Sequence, residues 1–348
     1  LTNLLVQLLI FSFKGKEMTF HVRNVIEAEG LTKKFGPLTA VSDFSLAIQA
    51  EEIFGLLGPN GAGKTTAINM LTTILKPTSG TARIAGYDIK RDAKKVRECV
   101  GIVFQDPTLD TVLTGWENLE LHARLYGLRR ADYGKRIEEL LSLVDLEARA
   151  HDLVRTYSGG MRRRLELVRG LLHHPSVLFL DEPTLGLDPQ TRARTWEYIR
   201  LMVKKEGTTV LLTTHYLDEA QQMCDRIAIM DEGKIIALGT PGRLIDSLGG
   251  CVLYIEAPAL PEEKLRLLPF IKECRPAKGG WEIVIAETYQ NLPRLLETIG
   301  PISHLDIRRP TLNDVFLKLT GRHIREESGE DKGSWMESAL RFQQRGRR

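Results

Sequence analysis

The chain has 348 residues, 43% of them hydrophobic and 27% charged, which is ordinary globular material long enough for one large and one small domain. A net charge of +3 gives no global electrostatic case for binding nucleic acid. The four cysteines (Cys99, Cys224, Cys251, Cys274) lie far apart with no C-x-x-C, so they indicate neither a zinc site nor a disulfide framework and read as reduced cytosolic thiols.

Leu4 to Phe13 is apolar but only ten residues long. As a helix it would span about 15 Å, against roughly 30 Å of hydrocarbon. No basic segment precedes it and no small-residue cleavage site follows, so it does not read as a signal peptide. Because Met18 precedes the first strand-like segment, residues 1–17 are expected to derive from an upstream start. Residues 1–22 are therefore set apart as an N-terminal extension outside the fold. No other stretch suits a membrane span, so any membrane role is expected to be peripheral.

Val25 to Glu29 and Ala40 to Ile48 alternate apolar and polar residues, as antiparallel strands do. Between them Phe35-Gly36-Pro37 makes a turn carrying an exposed aromatic, which could plug the turn or stack on a purine base. Next comes Gly58-Pro59-Asn60-Gly61-Ala62-Gly63-Lys64-Thr65-Thr66, which fits the phosphate-cradling pattern G-x-x-x-x-G-K-[ST]. Apolar Ile53 to Leu57 before it reads as a buried strand, and Ala67 to Leu75 after it is apolar at helical spacing. Strand, glycine-rich turn and helix form the context in which backbone amides and the helix start receive a polyanion. Lys64 would then reach the terminal phosphates and the Thr65 hydroxyl would ligate Mg²⁺.

Further strands are expected at Ala82 to Ala85 and at Gly101 to Phe104, the latter ending on Gln105-Asp106-Pro107. From Thr114 to about Arg155 the periodicity is helical, an insert in an otherwise α/β chain. It closes on Tyr157-Ser158-Gly159-Gly160-Met161 and the basic run Arg162-Arg163-Arg164. Ser158 caps a helix whose glycines expose amides, a second candidate anion site, although alone it reads as a plain cap and the arginines as a solvated face. Val177 to Leu180 is an apolar strand ending on Asp181-Glu182, and two acids there are costly unless a cation or a proton transfer uses them. Thr208 to Thr214 repeats the arrangement and ends on His215. Alone, His215 reads as a core or capping residue. Three apolar strands thus end in Gly58, Asp181-Glu182 and His215, and in a parallel sheet ligands sit beyond those carboxyl ends.

Ile227 to Met230 and Lys234 to Leu238 flank a hairpin turn, and Thr240-Pro241 opens a helix closed by Gly249-Gly250, where a domain boundary is placed. Residues 251–320 read as strand (Val252 to Glu256), helix, strand (Ile271 to Arg275), strand (Trp281 to Ala286), helix (Leu292 to Ile299), strand (Ile302 to Ile307) and helix (Leu312 to Leu319). This is a small α+β unit, with a ferredoxin-like arrangement in view. It has no acid pair, metal spacing or glycine loop, so an interaction or regulatory role is expected. The charged tail 322–348 is expected to be disordered.

The order phosphate loop, Tyr157 to Met161, acid pair resembles that of an ATP-binding-cassette (ABC) ATPase over about residues 25–240. The terminal unit, with Pro310 to Phe316, looks like the C-terminal domain of the daunorubicin-resistance type of drug-export subunit. The resemblance implies an α/β P-loop NTPase fold with an ABC-type antiparallel β subdomain and a helical insert. The implied division is an ATPase domain at 23–248 (helical subdomain about 106–172), an accessory domain at 249–321 and the tail. The implied ligands are ATP and Mg²⁺. Phe35 would stack on adenine, Gly58 through Thr66 (Pro59, Asn60, Gly61, Ala62, Gly63, Lys64 and Thr65 between them) would hold phosphate, and Thr65, Gln105 and Asp181 would serve the metal. Gln105 would also contact the attacking water, Glu182 would be general base, His215 would touch the γ-phosphate, and Asp188 would lie across a dimer interface. Ser158, Gly159 and Gly160 would complete the opposite subunit's site in a head-to-tail dimer. The signature departs from the commonest form, which has Leu and Gln where Tyr157 and Met161 stand.

The implied function is hydrolysis of ATP on the inner face of the cell membrane to drive a separate permease, with drugs, antibiotics or lipid-like compounds as exported cargo and no nucleic acid as partner. The alternative is a soluble cassette ATPase acting on ribosomes or DNA. Such proteins usually carry two cassettes or a long coiled-coil insert, and here there is one phosphate loop. A nucleotide-gated binding module without turnover is disfavoured by the presence of both Glu182 and His215.

Overall fold

A computed structural model describes residues 24–257, 265, 267–277 and 279–321. The expectations for the N-terminal extension, for the helix between Glu256 and Ile271 and for the tail lie outside the described residues or largely so.

Alternating strands β1 (Asn24–Phe35) and β2 (Leu38–Gln49) pair antiparallel, and β4 (Ser79–Ile84) and the short β5 (Tyr87–Asp88) complete a four-stranded sheet in the order β2-β1-β4-β5. A second sheet has six strands in the order β10-β9-β3-β8-β7-β6. Its parallel members are β3 (Ile53–Leu57), β6 (Val100–Val103), β7 (Val177–Asp181), β8 (Thr209–Thr214) and β9 (Arg226–Asp231). Edge strand β10 (Lys234–Gly239) returns antiparallel through the expected hairpin.

The uninterrupted apolar runs of β3, β7 and β8 are explained by burial on both faces, since side chains alternate across a sheet. In β7, Val177 and Phe179 face a core shared with the antiparallel sheet and with helix α1 (Lys64–Leu71). Leu178 and Leu180 face the other core, which the remaining helices fill. Those helices include α3 (Gly115–Leu125), α4 (Arg130–Leu143), α5 (Gly159–Leu171), α6 (Pro189–Glu206) and α7 (Leu217–Met223). Helix α2 (Ala93–Cys99) instead sets Val96 into the first core. The helical insert contains α3, α4 and the start of α5; Thr114 caps α3, accepting from the Glu117 amide at 3.1 Å while its own amide reaches the Glu117 carboxylate at 2.8 Å.

Past α8 (Pro241–Asp246), strands β11 (Cys251–Glu256), β12 (Ile271–Ala277), β13 (Gly280–Ile285) and β14 (His304–Arg308) form a third, wholly antiparallel sheet. Its order β12-β13-β11-β14, with α9 (Thr288–Ile299) between the last two strands in sequence, has the strand pattern of a ferredoxin-like unit. The final helix α10 (Leu312–Thr320) turns back: Leu312, Val315 and Phe316 lie in the same core as Leu217, Ala220 and Leu248. The Leu312 amide donates to Gln221 Oε1 of α7 at 3.2 Å. The last helix of the small unit is thus packed on the large one.

Candidate active site

The phosphate loop begins where β3 ends. A Cβ on Gly58 would lie 2.3 Å from the Met230 carbonyl oxygen, so only glycine lets the chain turn against β9. Gly63, the N-cap of α1, has φ +98, and a Cβ there would meet the Ala40 carbonyl oxygen at 2.5 Å. Lys64 is buried, and its ammonium donates to the carbonyls of Gly58 (2.7 Å) and Pro59 (3.1 Å). Burial pushes its pKa below the usual lysine range, against the pull of Glu182 and Asp181.

Strand β8 lies between β3 and β7, so the ends of all three converge. The Thr65 hydroxyl donates to Asp181 Oδ2 at 3.0 Å, and Thr213 Oγ1 donates to Asp181 Oδ1 at 2.5 Å. Burial raises the Asp181 pKa; the two hydroxyls oppose the rise and the neighbouring Glu182 adds to it. His215 Nδ1 lies 3.0 Å from Glu182 Oε2. Glu182 Oε1 is buried without a hydrogen-bond partner, 3.7 Å from Lys64 Nζ. This cluster combines a cation, a hydroxyl paired with a carboxylate, a second carboxylate with an uncommitted oxygen, and an imidazole. Thr65 and Asp181 supply hard oxygens of the kind Mg²⁺ takes when phosphate and water complete its shell, so the donor set fits that ion.

Comparison with known proteins agrees with this geometry. The ABC transporter family matches residues 41–185, and the family described as ATP-binding protein DrrA1-3-like, C-terminal domain, matches residues 239–320. The daunorubicin/doxorubicin resistance ATP-binding protein DrrA of Streptomyces peucetius is 40% identical over 316 residues, 88% of this chain and 95% of that protein. The chain belongs to the ABC transporter family. The Nod factor export ATP-binding protein I of Ralstonia nicotianae is 41% identical, over 87% of this chain and 95% of its own length. A solved ATP-binding cassette in a dimeric post-hydrolysis state with ADP and phosphate superposes with a TM-score of 0.56 at 28% identity, covering 62% of this chain and 98% of that one. The chain is accordingly an ATP-hydrolysing subunit of a transporter.

Phe35, Gln105, Ser158, Gly159, Gly160 and Asp188, which the ABC resemblance also implicates, are carried by other segments than those that bear the Lys64–Glu182 cluster. Phe35 ends β1, 45% exposed, with Lys33 Nζ 5.1 Å from its ring centroid. Gln105 is exposed just past β6. Ser158 does cap α5, its Oγ accepting from the Met161 amide at 3.2 Å, and it is exposed with Gly159 beside it. Gly160 packs closely on α6: a Cβ there would lie 2.6 Å from Thr191 Cγ2, so a larger residue would push that side chain aside. Thr191 in turn belongs to the cap of α6, where Asp188 accepts from the Gln190 and Thr191 amides and from Thr191 Oγ1. The signature tip and the Asp188 turn therefore form one surface.

The signature's departures have physical reasons. Tyr157 is buried, and its hydroxyl donates to the Arg149 carbonyl at 2.6 Å, satisfying the polar end that Leu would lack. Met161 packs on the helical core.

Sequence reasoning passed over three residues. Thr213 hides in a buried apolar run yet joins Asp181 to the Glu182 amide. Half-buried Glu219 accepts through Oε2 from Thr184 Oγ1 and Trp196 Nε1 while Oε1 pairs with Arg192 at 3.1 Å, linking the segments after β7 and β8. Arg163, read as part of a solvated face, is buried instead. The available signal was spacing: Arg163 lies four and eight residues before Leu167 and Leu171, on the helix's apolar stripe.

Proposed function

We propose that two copies of this ABC subunit close head to tail over two Mg·ATP, and that the closure drives a separate membrane permease exporting a drug, an antibiotic or a lipid-like compound. The observation that carries it is the convergence of Lys64, Thr65, Asp181, Glu182 and His215 at three adjacent strand ends. The names of relatives support the direction and class of cargo: daunorubicin/doxorubicin resistance, Nod factor export and, in Bacillus subtilis, linearmycin resistance.

In this reading Phe35 stacks on the base, and the amides from Gly58 to Thr66 cradle phosphate. Lys64 exchanges its loop carbonyls for β- and γ-phosphate oxygens. Thr65 and Asp181, with Gln105, hold Mg²⁺, which when bound neutralises charge on the phosphates. Glu182 takes the proton of the attacking water, and His215 holds the carboxylate and contacts the γ-phosphate. Ser158, Gly159 and Gly160 present the positive start of α5 to the partner's nucleotide, with Asp188 alongside. Nucleotide then has higher affinity for the closed pair than for the open one, which is what drives the cycle. Among the described residues no helix is long and apolar enough to cross a membrane, so attachment to the inner face of the membrane would come through the permease.

Light scattering of the Glu182→Gln variant tests the reading. A dimer that forms with Mg·ATP and is lost on changing Ser158 to Arg supports it. A monomer under both conditions refutes it. Co-purification of a multi-span membrane protein with the tagged chain tests the permease.

A further inference from the structure

Glu182 is held in an unusual backbone state. Its φ is +47, the left-handed region that a residue with a Cβ seldom occupies. On the amide side the hold is Thr213 Oγ1, which accepts from Glu182 N at 3.0 Å. On the carbonyl side it is Arg163. The guanidinium donates through Nη2 to the carbonyls of Asp181 (3.2 Å) and Glu182 (3.1 Å), and through Nε to that of Pro183 (2.8 Å). Nη1 donates to the Phe104 carbonyl (2.8 Å), directly before Gln105, and to Glu166 Oε2 (3.1 Å). Glu166 Oε1 in turn accepts from the Thr108 amide at 2.8 Å, so its carboxylate holds the segment after Gln105 as well.

We propose that Arg163 is a positioning residue for ATP hydrolysis, clamping the backbone around Glu182 in its left-handed form and fixing the Gln105 segment to it. The inference rests on the reading of Glu182 as general base and adds what aims it. Four carbonyls from two separate segments are gathered by one planar fork. A lysine ammonium, with a single nitrogen, cannot span them. The clamp also has a reach beyond its own site. Arg163 lies on the same helix as Ser158, five positions past that cap, so the tip offered to the partner's nucleotide and the clamp on the chain's own base move as one piece.

The test uses the full-length chain with Arg163→Lys and Arg163→Gln, each alone and with Glu182→Gln, in steady-state and single-turnover ATPase assays with melting curves. Arg163→Lys is expected to lower kcat at least about tenfold while leaving the KM for ATP within about twofold, because the clamp acts on the step and not on nucleotide binding. In the Glu182→Gln background the same change should alter the residual turnover by less than about twofold, since residues acting as one unit are not additive. Wild-type kcat in both arginine variants overturns the proposal. So does an equal fractional loss with and without Glu182, or a melting transition lost in both variants, which would place Arg163 in the fold alone. Undiminished turnover in Glu182→Gln by itself would instead end the general-base reading, whatever the arginine variants do.

Discussion

Two clusters of four titratable side chains, one in each unit, are built to opposite rules. Around the phosphate loop, Lys64, Asp181, Glu182 and His215 are buried or nearly so, Glu182 Oε1 has no hydrogen-bond partner, and Glu182 sits at a left-handed φ. In the C-terminal unit, Arg308 grips Asp314 with two bonds of 2.6 and 2.9 Å, and Arg275 grips Glu282 with two of 2.9 and 2.6 Å. Cross pairs at 3.7 Å (Arg275–Asp314) and 3.5 Å (Arg308–Glu282) close the ring. Asp314 also accepts from the Thr311 amide and hydroxyl, at the start of α10. The first cluster keeps uncommitted capacity, which a ligand can use. The second is complete, and its task is to lock α10, and through α10 the small sheet, against the cassette. Asp314 is as buried as Asp181, so burial of a carboxylate alone does not separate the two; satisfaction does.

The largest expected effect comes from removing the uncommitted oxygen. Glu182→Gln should lower kcat by at least about 100-fold, the usual worth of a positioned general base, and thermal melting should change little. Steady-state phosphate release measures the first and a melting curve the second. An equally large change in the second cluster should do the reverse. Asp314→Ala leaves two arginines without their shared partner, so it should destabilise by about 1–3 kcal/mol and leave kcat within about twofold. The figure sits below that for a fully buried pair because Arg308 is 37% exposed and screened by solvent. Urea unfolding checks it, and a kcat that falls in step with stability would remove the distinction between the clusters.

A smaller effect sharpens the contrast by sign. Burial raises the Asp181 pKa, so the folded apo chain holds an ionised Asp181 at a cost. Asp181→Asn should therefore raise the melting temperature at neutral pH while abolishing Mg²⁺-dependent turnover. A lower melting temperature in the nucleotide-free variant would contradict the assignment.

Much of this was legible in the chain. The phosphate loop showed itself because its glycines, lysine and threonine are contiguous, and Asp181-Glu182 and His215 because each closes an apolar run that must be buried. The small unit's strand pattern followed from short alternating segments. Arg163 was not legible in that way, because its partners are backbone carbonyls 18 to 59 residues away, which no side-chain motif marks. Nor was the seat of α10: Leu312, Val315 and Phe316 are equally consistent with packing on the sheet before them or on α7, and only the fold chooses. Helix α6 shows its N-cap in Asp188-Pro189, yet nothing in the chain marks Thr191 as the neighbour of Gly160, because the two meet only through the fold.

The finest test of the comparison is the pH dependence of the two aspartates. Asp314 is buried, which by itself would raise its pKa, but Arg308 and Thr311 outweigh that and hold it below the usual range. A depressed folded pKa means that the stabilisation is fully present above the unfolded value, about 4, and fades only as pH falls through the lower folded value. Asp181 is raised, so its destabilisation is absent below about 4 and grows as pH climbs toward the folded value. Melting temperatures of wild type, Asp181→Asn and Asp314→Asn between about pH 7 and 4 should therefore separate the residues. The Asp181→Asn advantage should shrink toward zero on acidification. The Asp314→Asn deficit should lose little over the same range, because the folded carboxylate stays ionised and the unfolded one begins to take up a proton only near about pH 4. Two gaps closing together would mean that the aspartates share one environment, and the division between an uncommitted and a completed cluster would fail.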